Sequence, residues 1–153
     1  MALFVVINLF IFDEGDDIHI WLGYGTLALV LLRTIIGFTA QGFEAFNQFP
    51  IGINDLFSFL KNLFNHKAKD YVGHNPAASY AYIIFWFLIV GLGVSGILLE
   101  HVDAFFVSES LEELHDLMAD AVIVFIVVHF TGMLLDSILH KRKAWMSIIT
   151  GKK

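Results

Sequence analysis

The chain has 153 residues, 58% of them hydrophobic, a mean hydropathy of +0.74 and a formal net charge of -6 at pH 7. A soluble domain of this size has too little interior to bury so much apolar surface, so the composition excludes an ordinary water-soluble fold and indicates a membrane protein. With no cysteine, disulfides, thioether-attached cofactors and cysteine-ligated iron–sulfur clusters are excluded, and any metal must be held by His, Met or carboxylate.

The first apolar run, residues 2–12, would be about 16 Å long as a helix, half of a hydrocarbon core roughly 30 Å thick. No basic segment precedes it, and Asp13 to Asp17 replace a small-residue cleavage site, so it is expected to stay in the mature protein. It cannot span alone. The expectation is a first helix whose beginning precedes Met1; the alternative is a half-helix completed by a partner. After the acidic turn comes a second run, 18–39, long enough to cross. Residues 43–54 read as loop, and Asn54 or Asp55 would cap a short amphipathic helix, 55–65, lying on the membrane surface with Leu56, Phe57, Phe59, Leu60, Leu63 and Phe64 on its apolar face.

Gly73-His74-Asn75-Pro76 then offers an N-cap at Asn75 and a first helical residue at Pro76, opening the third run, 77–99. Within it Gly91, Gly93, Ser95 and Gly96 permit close approach of another helix or of a flat macrocycle. Residues 100–109 form an acidic connection. Ser110 and Glu113 match a capping box, which predicts a final helix starting near Leu111 and carrying the fourth run, 114–135. The fold class that follows is all-α: an up-and-down four-helix membrane bundle with a short first helix, read as one domain over residues 1–153.

Charge orients the bundle. All nine Lys and Arg residues (Arg33, Lys61, Lys67, Lys69, Lys141, Arg142, Lys143, Lys152 and Lys153) fall at one end of the spans, which the positive-inside rule makes cytoplasmic, the C-terminus included. Ten of the fifteen acidic residues lie on the opposite, outer side. Trp145 and Met146 are expected at the interface.

His115 and His129 are fourteen residues apart, close to four helical turns, so both leave one face of the last helix about 21 Å apart along its axis. Ionisable side chains at these depths are candidates for function, and the guest that suits them is haem, one per histidine. His19 opens the second run from the same outer side as His115, and imidazoles at matching depth on two helices can take both axial positions of a haem iron, a closed site suited to electron transfer. His129, near the inner side, needs its own partner, which the first helix should supply from before Met1. Arg33 follows His19 by fourteen residues and should share the depth of His129. It has two readings: a haem propionate partner, or a side chain snorkelling to the inner headgroups. His74 either stabilises its loop or contacts the inner haem or a quinone. His66, His101 and His140 read as solvated, with His101 an alternative to His115. Met118 and Met133 read as packing, and Asp120 faces away from His129.

These residues resemble a known family. His19-Ile-Trp-Leu-Gly-Tyr24, Arg33-Thr-Ile-Ile-Gly-Phe38, Gly73-His74-Asn75-Pro76, His115, His129, and Met146 with Thr150-Gly-Lys-Lys153 are similar to the bacterial cytochrome b561 and hydrogenase b-type cytochrome family, from about His19 to the C-terminus. The resemblance implies a four-helix membrane protein with two b-type haems: His19 and His115 on the outer haem, His129 on one side of the inner. Family members carry a further histidine near the cytoplasmic end of a longer first helix, and nothing before Ile18 corresponds to it.

The expected function is therefore transmembrane electron transfer through haem b, two by the resemblance and at least one from these residues. It would run in the bacterial inner membrane, between a periplasmic partner such as a c-type cytochrome and quinone or an inner-side partner. The chain would serve as a subunit of an oxidoreductase, a hydrogenase-like complex for example, rather than a stand-alone catalyst. Lipid is the expected surroundings and nucleic acid is not an expected partner. Two other classes stay open: a transporter or proton-conducting subunit using His19, Arg33, His115, Asp120 and His129, and an anchor without a cofactor of its own.

Overall fold

In a computed structural model, which describes residues 2–13, 15–42, 44–65, 67, 71, 73–101 and 105–139, the chain is built of helices. They are α1 (Ala2–Phe10), α2 (Asp17–Thr39), α3 (Ile53–Phe64), α4 (Pro76–His101) and α5 (Phe105–Leu139), with a 3-10 turn at Phe46–Gln48 before α3. The described residues contain no strand. Three stretches are long and apolar enough to cross a membrane: Asp17–Thr39, Pro76–His101 and Glu109–Leu135. Large apolar side chains stand on their outer surfaces, with Phe38 77% exposed, Phe87 65% and Val124 63%. Such exposure on adjacent helices is unfavourable in water and neutral in hydrocarbon, so these faces contact lipid.

Local sequence accounts for most boundaries. Asn75 accepts a hydrogen bond from the Ala78 N–H on its Oδ1 at 2.7 Å, and Pro76 takes the first helical position, so α4 starts where the cap and the fixed φ of proline direct it. Asp16 stands in extended backbone before α2, and Asp17 adds a negative charge in the first turn, favourable at the positive end of the helix dipole. Two expected starts are corrected. α3 begins at Ile53 after Gly52, with Asp55 inside its first turn rather than capping it. α5 begins at Phe105 rather than near Leu111, which leaves Ser110 and Glu113 inside the helix. Residues 105–110 contain no Gly or Pro, and once a helix is nucleated each added residue gains a backbone hydrogen bond, so propagation prevails over the local capping box.

The helices meet at one layer. Val5 of α1, Val30 of α2, Ile89 of α4 and Val122 of α5 form a buried cluster, one residue from each helix, with Leu9, Phe85, Trp86, Leu88, Leu92 and Ile126 packed against it. α4 packs against α5 on one side and α2 on the other, and α1 against α2, where the Phe4 ring lies 3.2 Å from the position a Cβ would take on Gly25. The nine residues of α1 are about 14 Å long, so it lines only the half of the bundle that holds His19 and His115. The four-residue layer divides that half from the one holding Arg33 and His129.

Candidate functional site

On the His19 side of the layer, α1, α2, α4 and α5 enclose a cavity of about 780 Å³, floored by Val5 and Ile89 and reaching the chain between α1 and α2 at Asp13 and Gly15. His19, in the first turn of α2, and His115, in the third turn of α5, both line it. Their ring centroids are 6.4 Å apart and their planes tilted by 56°. Matching depth on two helices that run in the same direction thus becomes contact range across one cavity. Gly93 and Gly96 of α4 and Gly23 of α2 line the same space. A Cβ on Gly96 would sit 3.4 Å from His115 Cε1, so the small residues of α4 let the imidazole lie against its backbone.

Polar groups point into this apolar room without protein partners. Asn8 Oδ1, His19 Nδ1 and Thr26 Oγ1 are buried, line the cavity and have no hydrogen-bond partner. Each carries a desolvation cost that a bound group could relieve. Among the described residues the lining includes Asp13, Glu100, Glu112 and Asp116 and no Lys or Arg, so the mouth is acidic. Tyr24 donates a hydrogen bond to the Glu100 carboxylate there, tying α2 to the end of α4.

The other end is packed. Arg33 donates to the Glu44 carbonyl at 3.1 Å, and its guanidinium carbon lies 5.1 Å from the ring centres of both Phe46 and Tyr82. Its second terminal nitrogen, Nη1, is buried without a partner. The crevice beside it, lined by Val30, Tyr82, Phe85 and Trp86, holds about 10 Å³, too little for a quinone ring. His74 joins the same aromatic group, 4.3 Å from the Phe49 ring and 6.4 Å from Tyr82. His129 is exposed on α5 and stacks on Phe125 at 5.6 Å and 14°, and Phe125 in turn stacks on Phe85 beside Arg33. Arg33 and His129 therefore share a depth, as their common spacing predicts, with aromatic rings between them.

The family model for prokaryotic cytochrome b561 matches residues 1–151. The chain belongs to that family. The match carries the resemblance back through α1, which the residue pattern alone did not place in it. No curated protein and no solved structure matches the chain significantly. Membership implies haem b and electron transfer across a membrane.

The residues of the cavity fit that group. Among the described residues no cluster of three or more His, Cys, Asp or Glu could hold a metal ion. A bare ion would be under-coordinated by the two imidazoles, whereas the iron of a porphyrin brings four nitrogens and asks the protein for the axial two. His19 and His115, with ring centroids 6.4 Å apart across the cavity, are the residues that would hold the group. A volume near 780 Å³ is within the range of cofactor sites.

Of the other residues singled out in the sequence, Asp120 is exposed on α5, and His101 donates from Nδ1 to the Ile97 carbonyl of its own helix at 2.9 Å, outside the cavity lining. Met118 packs, its Sδ occupying the notch that Gly91 leaves on α4. His66, His140, Trp145, Met146 and the 150–153 segment lie outside the described residues. Sequence reasoning missed Asn8, Thr26 and the Tyr24–Glu100 pair. Asn8 carried a signal, as the single amide in an otherwise apolar run, while Thr26 carried none.

Proposed function

We propose that this chain carries electrons across the bacterial inner membrane through b-type haem, with His19 and His115 as the axial pair of an outer haem and His129 as one ligand of an inner haem. The observation that carries the reading is the pairing of His19 with His115 at 6.4 Å across an apolar cavity that also holds three unpartnered polar atoms. Haem b supplies a one-electron ferric–ferrous couple. His19 and His115 would hold the metal, and Gly93 and Gly96 of α4 would leave room for a flat macrocycle beside them. Asn8 and Thr26 are placed to accept or donate hydrogen bonds at its edge.

At the opposite end, Arg33, whose buried Nη1 has no partner, would be the residue to meet a propionate of the inner haem, and the aromatic group around Tyr82 holds the guanidinium in place. His74, stacked in the same group, supports that end, with an inner-haem or quinone contact as its further role. The positive-inside rule places this end, and the C-terminus, in the cytoplasm. The acidic outer mouth favours a basic periplasmic redox protein, such as a c-type cytochrome, or the catalytic subunit of a hydrogenase-like complex.

The deciding experiment is a haem-to-protein ratio on the purified protein by pyridine haemochrome, with a reduced-minus-oxidised spectrum. Two b-type haems per chain are expected when the second axial position of the inner haem is filled, and one when it is not. No haem would sink the proposal and leave the transporter or anchor reading.

A further inference from the structure

Ser95 lies in α4 one residue before Gly96 and is 3% exposed. Its Oγ is 2.8 Å from His115 Nδ1 and 3.1 Å from the Leu92 carbonyl oxygen of its own helix. A hydroxyl has one hydrogen to give. In a helix that hydrogen goes to a carbonyl three or four residues back, and Leu92 is the carbonyl in reach. Towards His115, Ser95 Oγ is then an acceptor, and Nδ1 is the nitrogen that carries the proton. The tautomer places the ring's lone pair on Nε2. Next to Ser95, a Cβ on Gly96 would sit 3.4 Å from His115 Cε1, so the ring lies against α4 at this point.

We propose that Ser95 is the positioning residue of the outer haem: by accepting the Nδ1 hydrogen of His115 it fixes the tautomer and rotation of that imidazole and lowers the reduction potential of the iron it binds. The proposal rests on the reading of His115 as an axial ligand. An N–H that donates to an acceptor behind the ring makes the opposite nitrogen a stronger electron donor, which favours the ferric state. His19 has no such partner, its Nδ1 being buried and unpaired, so the two axial imidazoles are inequivalent and Ser95 tunes one of them.

The test uses the full chain in detergent or liposomes, with Ser95→Ala, Ser95→Thr and His115→Ala compared by haem content, redox titration and the low-temperature electron paramagnetic resonance of the ferric haem. Ser95→Ala is expected to keep the haem, raise the ferrous-to-ferric ratio at fixed ambient potential up to about tenfold, equivalent to about 59 mV for one electron, and change the g-values as the ring is freed to turn. Ser95→Thr, which keeps the hydroxyl, should return both towards wild type. Haem lost in Ser95→Ala and regained in Ser95→Thr would support the same role. An unchanged or lowered potential with unchanged g-values in Ser95→Ala would overturn it, as would haem lost equally in both variants with helix content intact. If His115→Ala retains the outer haem, the ligand reading itself fails, a result distinct from any of these.

Discussion

Trp86 donates its indole N–H to Thr34 Oγ1 at 2.8 Å, joining α4 to α2 just on the Arg33 side of the four-residue layer, while the Thr34 hydroxyl donates in turn to the Val30 carbonyl at 2.7 Å. Both groups are part-buried in an apolar bundle, so the hydroxyl serves as donor to its own helix and acceptor for the next. The link holds the two helices in the register that keeps Val30 against Ile89.

Thr34→Val keeps the shape and removes the acceptor. Hydrogen bonds between membrane helices contribute about 0.6 kcal/mol on average and at most about 1.7. The variant is therefore expected to lose stability within that range, with Thr34→Ser near wild type, measured by thermal unfolding in detergent. A valine variant as stable as wild type would show that the indole finds another acceptor.

Gly37 faces Phe46 so closely that a Cβ would overlap the ring. In a helix interior Gly→Ala ordinarily stabilises by about 1 kcal/mol, but here overpacking costs about 1–3 kcal/mol and reverses the sign. Gly37→Ala should destabilise the protein, and in a Phe46→Leu background the same change should become neutral or stabilising. Additive effects in that double-mutant cycle would deny the contact.

His115→Ala is expected to abolish the outer haem and leave any inner one, and His129→Ala to do the reverse. Haem quantification and split reduced-minus-oxidised spectra distinguish the two. Haem content unchanged from wild type in both variants would remove both histidines from the ligand set.

Arg33→Gln separates a propionate partner from a side chain that only packs. A propionate partner predicts weakened retention of the inner haem or a lower potential for it, because loss of a nearby positive charge favours the oxidised, more positive centre. The outer haem should be unaffected. A side chain that only packs between Phe46 and Tyr82 predicts a loss of stability with both potentials unchanged.

Hydropathy, caps and charge asymmetry are properties of short segments, and they were enough to locate the three spans, the start of α4 at Asn75-Pro76 and the membrane setting. Helical periodicity and antiparallel order were enough to put His19 beside His115 and Arg33 level with His129, because depth in a bundle follows from residue count at 1.5 Å per residue. The start of α5 was misread because a capping box competes with continued propagation, and its four residues do not decide that contest. Rotation of each helix about its own axis was not legible either, since several rotations bury equal apolar area in lipid. Packing alone chose the one in which Ser95 meets His115, Asn8 and Thr26 turn inward, and Arg33 lies between Phe46 and Tyr82. Those contacts depend on the shapes of side chains distant in sequence, such as the notch at Gly91 filled by Met118. Sequence by itself therefore determined the helices and the level of each polar residue, and only the tertiary structure decided which of them share a cavity, because depth is a local sum and facing is a property of the whole packed layer.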